Sequence, residues 1–190
     1  MVSNNSELFP TAFKFLVAGG FGVGKTTFVR SVSEIEPLTT EETLTIASIG
    51  TDDLAGVGEK TTTTVAMDFG RITFDPQNIV LFLFGTPGQE RFWFMWDDLV
   101  NGALGAVVLA DTRRLEDCFA AVEFFERRGI DFLVAVNHFD GGFHYEPEEV
   151  REALDIKPRV PIVACDARDR RSAASVLARL TKHVLVNRPL

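Results

Sequence analysis

Cysteine is scarce in this chain of 190 residues, which has only Cys118 and Cys165. Each lies in an apolar segment with no partner at metal-ligand spacing, so both read as buried free thiols in a reducing cytoplasm. The three histidines, His138, His144 and His183, are scattered and form no metal motif. Basic charge is also short. Lys and Arg number 19 against 27 Asp and Glu, the formal net charge is −8, and no basic run exists. A nucleic-acid surface is therefore excluded. No apolar stretch is long enough to span a bilayer, so no direct membrane insertion is expected. The polar start, Met1 to Ser6, does not read as a signal peptide, and the end, Asn187-Arg188-Pro189-Leu190, has no lipidation cysteine. The expected location is cytoplasmic, with any membrane attachment made through a partner. Without internal repeats or a linker, residues 12–190 read as one domain behind a loose tail, 1–11.

What the chain does have is a glycine-rich turn between an apolar run and a helix-like segment. Gly19-Gly20-Phe21-Gly22-Val23-Gly24-Lys25-Thr26-Thr27 fits G-x-x-x-x-G-K-[ST]. Glycines let the backbone turn tightly, so that several N–H groups face one anion. The helix beginning there adds its positive dipole end. Gly20, Gly22, Val23, Gly24 and Thr27 belong to this cradle. Lys25 would reach the β- and γ-phosphates, and the Thr26 hydroxyl would bind Mg²⁺. A dinucleotide fingerprint starting at Gly20 would need glycine where Lys25 stands.

Apolar patterning places strands at about 12–18, 65–74, 79–84, 105–110, 132–136 and 160–165. Helical spacing places helices at about 25–32, 92–101, 115–128, 147–154 and 172–185. Asp75-Pro76-Gln77-Asn78 is a turn, so the second and third strands form a hairpin. The pattern predicts an α/β, three-layer P-loop NTPase fold. Its sheet is mostly parallel and six-stranded, with one antiparallel edge strand and helices on both faces. Residues 33–64, rich in Thr, Glu, Ser and Gly, read as a long connection that is either functional or disordered.

Four stretches in order resemble a Ras-like small GTPase: the phosphate loop, Thr64-Val65-Ala66-Met67-Asp68-Phe69, Gly85-Thr86-Pro87-Gly88-Gln89 and Asn137-His138-Phe139-Asp140. Within that family the chain is similar to the bacterial MglA-like group, and within the group to the GTPases of actinomycete conservons. The resemblance implies GTP/GDP as ligand with Mg²⁺, and a first switch at 33–64. Thr64 would bind Mg²⁺ and sense the γ-phosphate, with Thr63 as runner-up in the run Thr61 to Thr64. The Gly88 N–H would meet the γ-phosphate, and Gln89 would orient the attacking water. Gly85 stands where the family has an aspartate that holds Mg²⁺ through water. Asp111 is a candidate substitute, and Asp68 a lesser one because it falls inside a strand.

In the fourth stretch Asp140 would accept two hydrogen bonds from guanine, a donor pair that adenine lacks. Such bonds to a charged group contribute about 1.5–3 kcal/mol each. Asn137 would tie this loop to the phosphate loop, and His138 replaces a lysine that stacks on the base. Cys165-Asp166-Ala167-Arg168 is placed like the family's S-A-K, which puts Asp166, Ala167 and Arg168 at the base, with the Ala167 N–H on the guanine carbonyl.

Phe92-Trp93-Phe94-Met95-Trp96 is either core or, in part, an exposed partner surface. By resemblance the partner is a roadblock/LC7-type regulatory protein at the switches. The reading as a whole is a GTP-driven switch with slow hydrolysis, helped by its partner, with Gln89, Lys25 and Gly88 as catalytic groups. Arg71, Arg91, Arg113 and Arg114 are candidates for an internal arginine finger. A nucleotide-loaded module without hydrolysis and an ATP-dependent phosphoryl transferase are the alternatives.

Overall fold

A computed structural model describes residues 10–45, 62–75 and 78–187. The expected tail therefore falls almost wholly outside the described residues, as does 46–61 of the expected first switch. One seven-stranded sheet organises the chain, in the order β2-β3-β4-β1-β5-β6-β7. Its strands are β1 (Thr11–Ala18), β2 (Leu38–Thr45), β3 (Thr62–Phe74), β4 (Ile79–Gly85), β5 (Ala103–Ala110), β6 (Phe132–Asn137) and β7 (Ile162–Cys165). The helices are α1 (Lys25–Val32), α2 (Trp96–Leu99), α3 (Phe119–Arg128), α4 (Pro147–Leu154) and α5 (Arg170–Asn187). Short 3₁₀ turns at Glu90–Met95 and Leu115–Cys118 lead into α2 and α3.

All six expected strands are present, the sheet is mostly parallel, and β3 is the strand that runs against the others. The addition is β2, which lies in the stretch that reads as a connection. Leu38-Thr39-Thr40-Glu41-Glu42-Thr43-Leu44-Thr45 lacks an apolar face, but its threonines suit a pleated edge, and it pairs antiparallel with the Thr-rich start of β3. The antiparallel strand β3 is thus one place in from the edge.

Two apolar layers hold the sheet. Phe28, Val29, Leu177 and Leu180 of α1 and α5 pack on Phe15, Leu81 and Leu133. Trp96, Phe125 and Val150 of α2, α3 and α4 pack on Leu16, Val108 and Val134 on the other face. The strands between are buried on both faces, which is why they read as continuous apolar runs. The parallel strands all end on one edge, and their following loops gather there, as ligand sites of open α/β sheets do.

Both cysteines lie in this core as free thiols, as the sequence suggested. Burial pushes the Cys118 thiol up to about 12 and the Cys165 thiol up to about 11. The folded protein at pH 8 is expected to show no rapidly reacting thiol towards a disulfide reagent, and two after denaturation. Above about pH 9 the unfolded chain releases thiol protons that the folded chain keeps, so stability should fall as pH rises. A thiol titrating in the native protein near pH 8 would contradict the placement.

Candidate functional site

The phosphate loop runs from the end of β1 into α1. Gly19, Gly22 and Gly24 all have positive φ, and at Gly24 there is no room for a side chain either, since a Cβ would lie 2.8 Å from Asn137 Nδ2. Helix α1 begins at Lys25, so its free N–H groups open onto a cavity of about 350 Å³ between this loop, β3 and the loop after β4. Lys25, Thr26, Asp68, Thr86, Gly88 and Gln89 all line it.

Lys25 Nζ donates to the carbonyls of Gly19 and Gly20, at 2.9 and 2.6 Å. Burial lowers its pKa to about 8, with the Asp68 charge opposing the shift. Gly88 lies directly over it, because a Cβ there would sit 2.5 Å from Lys25 Nζ and 3.0 Å from the Gly20 oxygen. The expected contributors Lys25, Thr26, Gly88 and Gln89 are therefore together.

The carboxylate of this cavity belongs to Asp68. It is buried, and Thr26 Oγ1 donates to its Oδ2 at 2.6 Å. The register explains its position. Phe69 pairs with Phe84 across β3 and β4, so the next step brings Asp68 beside Gly85. A Cβ on Gly85 would lie 3.2 Å from both Cβ and Oδ2 of Asp68. Gly85, with no side chain, thus makes room for the Asp68 carboxylate from the neighbouring strand. Asp111 does not fill this place. It is buried but held by Arg113, whose Nη2 and Nε donate to it at 2.7 and 2.9 Å, and this pairing lowers its pKa. The Arg113 guanidinium in turn stacks on Phe139 at 4.1 Å. In the wall of the cavity Thr86 is 2% exposed, and its hydroxyl has no hydrogen-bond partner among the described residues. The backbone of Thr64 is in β3 opposite Thr43, but its side chain lies outside the described residues.

A smaller cavity of about 150 Å³ adjoins, lined by Gly24, Thr27, Asn137, His138, Ala167 and Arg168 among others. Asn137 fastens its walls. Its Nδ2 donates to the Val23 carbonyl, and its Oδ1 accepts from the Ala167 N–H, both at 2.9 Å. This is the tie to the phosphate loop, and it directs the Ala167 N–H at Asn137. Asn137 is buried, and its oxygen is satisfied by that amide. Asp140 is exposed, with Arg168 Nη1 at 3.9 Å. Arg168 pairs more closely with Asp166, at 2.9 and 3.0 Å, and holds the Asp166 carboxyl down at about 2. The His138 ring stacks on His144 at 5.4 Å, a neighbour that no motif announces.

The aromatic run after β4 divides. Phe92 and Trp96 are buried, while Phe94 is 62% exposed and Trp93 and Met95 are half-buried. Trp96 Nε1 donates to the Pro87 carbonyl at 3.1 Å, which fastens the loop carrying Gly88 and Gln89 to the core.

Fold and cavity together define a nucleotide-binding P-loop NTPase. Residues 17–186 match the family described as conserved hypothetical ATP binding protein, and the chain belongs to that family. An uncharacterized protein of Methanocaldococcus jannaschii is 28% identical over 131 residues, which cover 68% of this chain and 71% of that protein. Among solved structures, the FeoB G-domain of Methanococcus jannaschii matches with a TM-score of 0.61 and 16% identity, over 92% of this chain and 98% of that one. The cytosolic domain of the T. maritima FeoB iron transporter in its GDP form II matches with a TM-score of 0.65 and 16% identity, over 94% of this chain and 66% of that one. The same domain in its GMPPNP form gives 0.65 and 14%, over 90% of this chain and 64% of that one. At such identities the likeness is one of fold. Among the described residues no helix is long and apolar enough to cross a membrane.

Asn137→Ala would leave the Val23 carbonyl and the Ala167 N–H without their partner. A loss of about 2–3 kcal/mol of stability is expected in thermal or denaturant unfolding. An unchanged midpoint would contradict the role of Asn137 as the tie between these loops.

Proposed function

We propose that the chain is a small GTP-binding switch of the MglA-like, conservon type that hydrolyses GTP slowly. The observation that carries this is the stacking of Gly88 on Lys25 over the phosphate loop, with Gln89 in the same cavity. A γ-phosphate has to enter where Gly88 meets Lys25, so binding a triphosphate lifts residues 85–89 and loss of the phosphate lets them settle. In the reaction a water oxygen bonds to the γ-phosphorus while the bond to the β–γ bridging oxygen breaks. That oxygen keeps the electron pair on GDP, and the water's proton leaves with inorganic phosphate. Gln89 orients the water, and Lys25 with the loop amides holds the charge. For sites of this kind with no arginine at the transferring phosphoryl group, turnover is on the order of 10⁻⁴ s⁻¹.

The donor set suits Mg²⁺: the Thr26 hydroxyl, the Asp68 carboxylate in the space Gly85 leaves, and the unpartnered Thr86 hydroxyl close by. When bound, the ion neutralises phosphate charge. Thr64 stands four strand residues before Asp68, about 13 Å of extended chain. For it to join the same ion, the first part of β3 must leave its pairing with β2, which is the ordering step of a first switch. The half-exposed Trp93 and Met95 and the exposed Phe94 supply a surface for a roadblock/LC7-type regulator beside that movement.

Guanine is the base favoured by Asp140, whose carboxylate is exposed beside the smaller cavity. A second reading, ATP as the nucleotide, is favoured by the description of the family. Competition binding of GTP and ATP to the parent protein and to Asp140→Ala separates them. GTP is expected to bind at least about 100-fold more tightly than ATP, and Asp140→Ala to remove most of that margin. Equal affinities in the parent protein would overturn the guanine reading.

A further inference from the structure

The phosphate cavity is short of positive charge. Of the described residues lining it, Lys25 is the one cation, and Asp68 cancels it. A nucleoside triphosphate brings roughly four negative charges, more than one bound Mg²⁺ offsets.

The Arg114 guanidinium reaches the phosphate loop. Arg114 follows β5, and its Nη2 donates to the Phe21 carbonyl at 3.1 Å. The same nitrogen is 3.7 Å from where a Cβ on Gly22 would lie. Its anchor is loose: Nη1 has Asp117 at 3.5 Å, and the side chain is 49% exposed. Asp117 itself is pressed against the loop, since a Cβ on Gly20 would lie 2.5 Å from its Cβ. The Arg114–Asp117 pair is therefore docked on the outside of residues 20–22. The other candidates are occupied elsewhere. Arg71 pairs with Glu34 at 3.0 Å, Arg113 is held by Asp111 and Phe139, and Arg168 is held by Asp166. The side chain of Arg91 lies outside the described residues.

We propose that Arg114 is an arginine finger supplied in cis. When a triphosphate fills the cavity, the guanidinium exchanges the Phe21 carbonyl for the phosphates. There it takes up the charge that develops as the bond from the γ-phosphorus to the bridging oxygen breaks. A neutral carbonyl is a weaker acceptor than a phosphate oxygen, and the exposed side chain has rotamer freedom to make the move. This inference rests on the hydrolytic reading above.

Its test is single-turnover hydrolysis of GTP by the intact protein, Arg114→Ala and Arg114→Lys, with GDP affinity measured on each. Aluminium fluoride with GDP, a mimic of the transferring phosphoryl group, gives a readout apart from turnover. Arg114→Ala is expected to slow hydrolysis about 20- to 30-fold, the ratio between switches that carry the arginine in cis and those that lack it. GDP affinity should change less than about threefold, and the aluminium fluoride complex should be lost. Lysine, lacking the planar fork, should restore only part of the rate. An Arg114→Ala rate equal to that of the parent, or a loss of GDP affinity as large as the loss of rate, would overturn the finger. A parent protein that releases no phosphate from GTP would overturn the hydrolytic reading itself, and the finger with it.

Discussion

Thr26 and Asp68 are 42 residues apart and meet in a hydrogen bond of 2.6 Å. The arrangement of the phosphate site depends on that contact. It joins the first turn of α1 to the middle of β3, across the gap that Gly85 leaves in β4. A side chain at 85 would press on the Asp68 carboxylate, and a Thr26 without its hydroxyl would leave a buried acid with one partner fewer. Burying a carboxylate costs free energy unless it is paired. The Thr26 hydroxyl and the neighbouring Lys25 charge make the position tenable, and Asp68 in turn moderates the depression of the Lys25 pKa. The carboxylate lies on β3, aimed into the space beside Gly85.

Around that contact the loops are held by single side chains. Asn137 joins the base loop to Val23 and Ala167, Trp96 joins the loop after β4 to the core through Pro87, and Arg114 leans on Phe21. Each is one or two hydrogen bonds to loop backbone. Such bonds are worth about 1 kcal/mol each, small enough to exchange for contacts with a bound phosphate. Asn137 is buried, whereas Arg114 is half-exposed and loosely paired.

Much of this was legible in the chain. The apolar runs locate six strands because a sheet buried on both faces leaves no polar period to misread, and the glycine spacing of the phosphate loop places Lys25 and Thr26. Strand β2 was not legible, since an edge made of Thr and Glu has no apolar face. Asp68 was undervalued because a strand position suggests structure over chemistry. The signal available is an acidic residue in a β-prone run, on the same alternation as Gly70 and Ile72, which face the core. That the Ala167 amide serves Asn137 is decided by burial and invisible to spacing. The reach of Arg114 depends on how the loop after β5 folds back on the phosphate loop, which no local pattern encodes.

Whether Asp68 is the acid that holds Mg²⁺ beside Gly85 is read from the rate at which a fluorescent GDP leaves the protein with Mg²⁺ present and after Mg²⁺ is removed by a chelator, for the parent and for Asp68→Ala. Chelation is expected to speed release from the parent at least about tenfold, and Asp68→Ala to release GDP at the fast rate whether or not Mg²⁺ is present. If Asp68→Ala keeps the full response to Mg²⁺, the ion is held by other groups and Asp68 is not its ligand.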